Sequence, residues 1–190
     1  MNNTDSKIFF NFSYFALRLL GKGLYSNPWT AIAELVANGL DARATQVKIL
    51  IDMSDKQHSV VEIFDNGTGM SYEDLAEKYV LIGKNKRDDT SLDEQAKKSI
   101  MGRKGIGKLA ALYLSNKYYL LSKTNAEDSA WCFDMSAGQD SEIPSLDRIN
   151  PKALNISAVA AWNSFKTGTM VKLENVDMTN IGIQSIEGLK

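Results

Sequence analysis

Cysteine, histidine and long apolar runs are scarce in this chain of 190 residues, and each scarcity removes a class of protein. Cys132 is the only cysteine, so an intrachain disulfide is excluded and a reducing compartment, the cytoplasm, is expected. No apolar run approaches the roughly 18 residues that a membrane-spanning helix needs, so we expect no membrane partner. His58 is the only histidine and stands in a polar turn, which disfavours a protein kinase.

The remaining composition is that of an ordinary globular protein. Apolar residues make up 44% of the chain and charged residues 24%, which is enough to build a core. The formal net charge of −1 gives no general attraction to nucleic acid or anionic lipid. We therefore expect residues 1–190 to form a single domain, the N-terminal fragment of a longer protein, without a secretory leader.

Hydrophobic periodicity predicts helices and strands in an irregular order. A first helix, in "SYFALRLLGKGLYSNP", is expected to stop at Gly21 and Gly23, and a second to run from Pro28 to about Asp41. Two strands follow as a hairpin, and "KYYLLSK", "SAWCFDM" and "GTMVKLENV" are typical of three more. Residues 136–166 give no clear pattern. The order predicts an α+β fold, a two-layer sandwich whose mixed, mostly antiparallel sheet carries helices on one face.

The second helix contains an unusual polar stripe in "AELVANGLDA". Glu34, Asn38 and Asp41 have the spacing i, i+4 and i+7, so they share one helix face. The stripe either faces water or surrounds a ligand, because buried carboxylates need a partner or a cation. Gly39 favours the second interpretation, since a glycine inside a helix costs about 1 kcal/mol and suggests that another group approaches closely.

Two glycine-rich segments follow. In "DNGTGM", Asp65 ends a strand, and this is either an ordinary turn or a carboxylate that accepts a hydrogen bond from an exocyclic amine. Gly67 and Gly69 would let such a ligand approach the backbone. "GRKGIGK" opens a helix, and its glycines would turn backbone N–H groups toward an anion. The alternative is a flexible loop that simply precedes a helix.

Two other readings of the third segment are weaker. Gly102 through Lys108 satisfies most of a P-loop pattern, but Leu109 follows where that loop needs a Ser or Thr hydroxyl for Mg²⁺. The preceding "EQAKKSIM" also lacks the apolar pattern of the buried strand that comes before a P-loop. The basic residues in "KKSIMGRKGIGK" could contact nucleic-acid phosphates, although nucleotide phosphates account for them equally well.

The motifs "ELVANGLDA", "DNGTGM" and "GRKGIGKLA" occur in an order that resembles the Bergerat-fold or GHKL ATPases. That superfamily includes type II topoisomerases, ninety-kilodalton heat-shock chaperones, sensor histidine kinases, MutL-like mismatch-repair proteins and Microrchidia proteins. A weaker fourth motif, "KTGTMVKL", extends the resemblance to roughly residues 14–175. The chain looks most similar to the chaperone and Microrchidia branches.

The resemblance implies a role for each matching residue. Glu34 would be the catalytic base that activates water, Asn38 the Mg²⁺ ligand, and Asp41 a supporting acid. Asp65 would read adenine, with Thr169 beside it. The implied ATP-binding residues are Asn38, Asp41, Asp65, Gly67, Gly69, Met70, Gly102, Lys104, Gly105, Ile106, Gly107, Lys108 and Thr169.

The resemblance also implies partners and motion. ATP and Mg²⁺ would be the ligands, and residues 84–101 would form a mobile lid to which Lys84, Lys86 and Arg87 belong. Nucleotide binding would produce a homodimer, and further domains would bring a protein or nucleic-acid client. Because such domains usually need a cation from a following domain, we expect slow hydrolysis or none from this fragment. A nucleotide-gated binding module with little turnover is the rival interpretation.

Overall fold

A computed structural model describes residues 13–82, 107–136 and 142–179. The first described range contains the helices α1 (Tyr14–Leu24), α2 (Pro28–Asp41) and α3 (Tyr72–Asp74). Helix α3 continues as a π-helical turn over Leu75–Tyr79. Two further helices are α4 (Leu109–Leu114) and α5 (Val159–Asn163), and a 3-10 turn covers Pro151–Ala153. The strands are β1 (Val47–Asp52), β2 (Ser59–Asp65), β3 (Lys117–Lys123), β4 (Asp128–Asp134), β5 (Asp147–Arg148) and β6 (Gly168–Val176).

The six strands form one sheet in the order β1-β2-β6-β3-β4-β5. Every pairing among these described strands is antiparallel, which confirms the α+β architecture. The predicted hairpin is also confirmed, because all six residues of β1 pair with β2. The last strand, β6, lies between β2 and β3. Consequently the end of β2 and the start of β6 meet in the middle of the sheet.

Helix α2 forms where the sequence predicts it, and its ends have clear local causes. The side chain of Asn27 accepts a hydrogen bond from the Thr30 N–H at 2.9 Å, and Pro28 occupies the first turn, where no N–H is needed. A capping box opens α3, with the side chains of Ser71 and Asp74 each accepting a hydrogen bond from the other's backbone N–H group. In the part of the chain that is described, no helix is both long enough and apolar enough to cross a bilayer.

The prediction that α1 stops at its glycines is wrong, because the helix continues through both to Leu24. An ideal Cβ placed on Gly21 would lie 3.0 Å from Leu112 Cβ. Gly21 therefore allows α1 to pack closely on α4. A local pattern predicts that a helix stops at glycine, because the pattern contains no information on helix packing.

The main core lies between one face of the sheet and helices α1, α2 and α4. It includes fully buried residues such as Ile32 on α2, Ala110 on α4 and Leu120 on β3. Burying side chains of the size of Ile32 or Leu120 stabilises a fold by roughly 1.5–3 kcal/mol each. This packing fixes α2 against the sheet.

The opposite face of the sheet is also covered, by the segment of residues 149–165 that the sequence left unassigned. Trp162 of α5 packs edge-on against Phe64 of β2, with ring centroids 6.3 Å apart. Glu62, which is fully buried, accepts hydrogen bonds from the Ser157 and Ala158 N–H groups at 2.8 and 2.9 Å. Lys172 lies 3.4 Å from Glu62, so the buried carboxylate is both hydrogen-bonded and paired.

Candidate functional site

The polar stripe of α2 faces a glycine that begins the described part of the third motif. Glu34, Asn38 and Asp41 are all half-buried. An ideal Cβ on Gly107 would lie 3.1 Å from Glu34 Oε2 and 3.4 Å from Asn38 Oδ1. A side chain at position 107 would therefore fill the space in front of these two groups. The fold thus brings the first and third motifs together, as the resemblance implies.

The carboxylate of Asp65 lies at the end of β2 and is only 7% exposed. The Gly67 N–H donates a hydrogen bond to Asp65 Oδ1 at 2.7 Å. Burial raises the pKa of the Asp65 carboxyl, while the backbone N–H groups of Gly67 and Thr169 act in the opposite direction. Asp65 is therefore a fixed, nearly buried carboxylate, and a turn at the surface would not require this.

Glycines surround Asp65 because the backbone there is too crowded for side chains. An ideal Cβ on Gly67 would lie 2.6 Å from the Ala42 carbonyl oxygen. On Gly69, which has φ +68°, it would lie 2.0 Å from the Lys123 carbonyl oxygen. On Gly168, which has φ +142°, it would lie 1.9 Å from the Asp65 carbonyl oxygen. The absence of a side chain at these three positions therefore lets the Asp65 loop pack closely against the backbone at the ends of α2 and β3 and the start of β6.

Gly39 connects the two halves of the site. Its ideal Cβ would lie 3.0 Å from Asp65 Cβ and 3.1 Å from Val47 Cγ2. The prediction that another group approaches this glycine closely is confirmed, and the group is Asp65 itself. Since Gly39 follows Asn38 directly, the Asp65 side chain and the polar stripe of α2 lie next to each other.

Sequence reasoning missed Ser122, which fixes the second glycine segment. Its hydroxyl accepts a hydrogen bond from the Met70 N–H at 2.7 Å and donates one to the Met70 carbonyl at 2.9 Å. Ser122 also lies opposite Thr169 in the pairing of β3 with β6. No local signal marks a single serine within a strand, so only the strand pairing could reveal this role.

Lys108, a predicted phosphate ligand, is occupied elsewhere in this structure. Its Nζ donates hydrogen bonds to the carbonyl oxygens of Lys78 at 3.1 Å and Leu81 at 2.6 Å. It also donates to the Tyr79 carbonyl and lies 5.5 Å from that ring's centroid. Lys108 thus binds the carbonyl end of the helical turn after α3, where a cation is favoured. Its predicted contact with phosphate remains a prediction.

Several predicted site residues lie outside the described part of the chain. Among them are the whole predicted lid, residues 84–101, together with Lys84, Lys86 and Arg87. The same holds for four residues of the third motif: Gly102, Lys104, Gly105 and Ile106. Their roles remain predictions.

Comparison with known families gives one match that covers most of the chain. Residues 25–169 match the family described as "Histidine kinase-, DNA gyrase B-, and HSP90-like ATPase". The matched range begins just before α2 and ends at Thr169, so it includes the α2 stripe, Asp65 and Gly107.

Three curated relatives show how widely this domain is used. A putative type II restriction enzyme, HgiDII, from Herpetosiphon aurantiacus is 44% identical over 60% of this chain and 18% of its own length. The DNA mismatch repair protein MutL of Ehrlichia chaffeensis is 25% identical over 84% of this chain and 22% of its own length. The chaperone protein HtpG of a Sulfurovum species is 29% identical over 67% of this chain and 24% of its own length. The chain thus spans less than a quarter of the length of each of these relatives.

Proposed function

Because the chain belongs to the family of histidine kinase-, DNA gyrase B- and HSP90-like ATPases, we propose that it binds ATP with Mg²⁺ and hydrolyses it in the site around Asp65 and α2. One observation carries the proposal: a carboxylate only 7% exposed ends β2, enclosed by glycines and adjoining the polar stripe of α2. A structural turn would not need a buried acid beside a row of half-buried polar side chains.

Asp65 would bind the adenine base. When ionised, the carboxylate accepts a hydrogen bond from the exocyclic amine, and such charge-assisted bonds are about twice as strong as neutral ones. The Gly67 N–H, 2.7 Å from Oδ1, holds the carboxylate in one orientation before the ligand arrives. Met70, which Ser122 fixes through both backbone groups, would contact the base.

Asn38 and Glu34 would act at the phosphate end. The donors suit Mg²⁺, which prefers oxygen ligands and keeps several waters, so the amide oxygen of Asn38 would complete a set of phosphate and water oxygens. In the described residues, no cluster of three His, Cys, Asp or Glu side chains offers a separate metal site. Bound Mg²⁺ would supply charge neutralisation on the phosphates. Glu34, whose Oε2 borders the same space in front of Gly107 as Asn38 Oδ1, would hold the attacking water and accept its proton.

Replacing Asp65 with Asn tests the proposal directly. Titration of the chain with a nonhydrolysable ATP analogue and Mg²⁺ is expected to show binding to the wild type. Asp65→Asn should weaken it roughly 10- to 100-fold, because a hydrogen bond to a charged group contributes about 1.5–3 kcal/mol. Asp55→Asn, the same change in the exposed β1–β2 turn, is the matched control and should bind normally. Full affinity in Asp65→Asn would contradict the assigned base site.

Nucleotide affinity should also depend on pH. Protons compete with the exocyclic amine for the Asp65 carboxylate, and burial raises the pKa of that carboxyl. Affinity should therefore fall as the solution is acidified, by up to tenfold per pH unit, beginning above the ordinary Asp pKa of about 3.9. Calorimetric titrations across the acidic range would measure this. The loss should be steeper for the wild type than for Asp65→Asn, which controls for protonation of the phosphates.

Nucleotide-dependent homodimerisation and coupling to a client remain part of the proposal. They rest on the resemblance, and the coupling to a client also rests on the relatives, which are a putative restriction enzyme, a DNA mismatch repair protein and a chaperone protein. A longer protein that contains this chain would use ATP binding and hydrolysis to drive a change of conformation.

A further inference from the structure

The two edges of the six-stranded sheet differ in how they are protected. The edge strand β5 has only two residues, both charged and exposed, which is a common way to prevent further pairing. The other edge strand, β1, has six residues, contains no proline and pairs with β2 without a bulge. Its central residues Ile49 and Leu50 are 40% and 39% exposed. Within the described ranges, no strand pairs with the outer side of β1.

The hydrogen-bonding pattern shows which backbone groups β1 presents outward. The Asn66 N–H donates to the Gln46 carbonyl at 3.2 Å, so position 46 bonds toward β2. In an antiparallel pair, residues alternate between bonding toward the neighbour and bonding away from it. The N–H and C=O groups of Val47, Ile49 and Ile51 therefore point away from β2, and none of the six described strands bonds to them.

We infer that β1 pairs with β1 of a second copy of this chain, antiparallel and about a two-fold axis at Leu50. The segment Lys48-Ile49-Leu50-Ile51-Asp52 begins with a cation, continues with three apolar residues and ends with an anion. When two copies run antiparallel, each cation therefore lies opposite an anion and the apolar residues lie opposite one another. With the axis at Leu50, Ile49 lies opposite Ile51 of the second copy, and the outward N–H and C=O groups of these two residues hydrogen-bond to each other. At both ends, Lys48 then faces Asp52 of the second copy.

The charges at the two ends of β1 favour this register over the nearest alternative register. An axis at Ile49 also uses the outward backbone groups, but it places Lys48 opposite Leu50. The axis at Leu50 puts Lys48 and Asp52, which are both exposed, in the pairs that lack backbone hydrogen bonds. Side chains approach most closely in such pairs, with Cα atoms about 4.5 Å apart, so two ion pairs form on one face of the joined sheets.

The interface is small, and none of the residues Lys48 to Asp52 is among the predicted nucleotide-binding residues. A single strand pair buries less than the roughly 1,200 Å² of a standard interface, so we expect a weak dimer in rapid exchange. Because it forms without nucleotide, it is distinct from the ATP-dependent dimer that the resemblance implies. In the joined state, the two copies share one continuous antiparallel sheet.

Charge reversal at the two ends of β1 provides the test. Sedimentation equilibrium of the chain without nucleotide should show a concentration-dependent dimer. Lys48→Asp and Asp52→Lys should each weaken it about tenfold or more, because each places like charges opposite one another at both ends. An equimolar mixture of the two variants should dimerise again, because every Asp then faces a Lys. The double variant Lys48→Asp/Asp52→Lys should dimerise for the same reason.

Lys152→Asp, an exposed charge reversal outside β1, is the control and should leave the dimer unchanged. The inference is overturned if the wild type stays monomeric at the highest accessible concentration. It is equally overturned if the single variants dimerise normally, or if mixing them restores nothing.

A crosslink reports the register independently of charge. In a Cys132→Ser background, Leu50→Cys should form an intermolecular disulfide under mild oxidation, because residues on the axis lie within disulfide range. Asp52→Cys should not crosslink to itself but should crosslink to Lys48→Cys. Equal crosslinking of Asp52→Cys with itself would show a different register and reject the axis at Leu50.

Discussion

Glu34→Gln is expected to abolish ATP hydrolysis while nucleotide binding is retained. The amide can still hydrogen-bond water but cannot accept its proton, and positioned general bases contribute roughly 10²–10⁴-fold to rate. Glu34 Oε2 lies beside the Gly107 backbone, at the end of the site away from Asp65. Removing its charge should therefore leave the base-binding end intact. Single-turnover measurements with the chain in excess over labelled ATP would detect even slow hydrolysis.

The outcome also separates the two interpretations of this domain. Glu77→Gln, an exposed glutamate on the turn after α3, is the matched control and should hydrolyse ATP as the wild type does. If Glu34→Gln retains turnover, another group is the base. If it loses binding as well, Glu34 holds the site together instead. A wild-type chain that binds ATP without measurable turnover would favour the nucleotide-gated binding module.

Gly168→Ala is expected to lower the free energy of unfolding by about 3 kcal/mol or more. The new Cβ would lie 1.9 Å from the Asp65 carbonyl oxygen, and the residue has φ +142°, which L-residues rarely adopt. Both conflicts are with backbone in the centre of the sheet, so a side-chain rotation cannot relieve them. In a chain of this size, the change corresponds to a drop of roughly 6–12 °C in Tm.

Gly23→Ala provides the matched control for this stability measurement. Gly23 lies in α1, and its ideal Cβ meets no atom within 4 Å. Alanine there should raise stability by about 0.5–1 kcal/mol, because glycine in a helix loses more conformational entropy on folding. Thermal unfolding of both variants would show shifts of opposite sign. An unchanged Tm for Gly168→Ala would contradict this prediction, because it would mean that β2 and β6 can move apart at this point without loss of stability.

Local sequence patterns predicted the elements whose causes are themselves local. The cap at Asn27, the period of α2 and the β-branched run of β2 all act within a few residues, so helix and strands appear where they were expected. The same patterns failed for Gly21 and for the segment 149–165. Gly21 responds to Leu112, and the segment is held by Glu62 and Lys172, partners that are distant in sequence.

For the site, the sequence by itself determined the motifs and hence the family, because each motif is defined by the type and spacing of its carboxylate, amide and glycine residues. Only the tertiary structure decided that Asp65 touches Gly39, that Ser122 holds Met70, and that Lys108 binds helix carbonyls. It also decided that β1 lies at an edge of the sheet formed by the described strands. The physical reason is that burial and strand order arise from contacts between distant segments, which no local window of sequence contains.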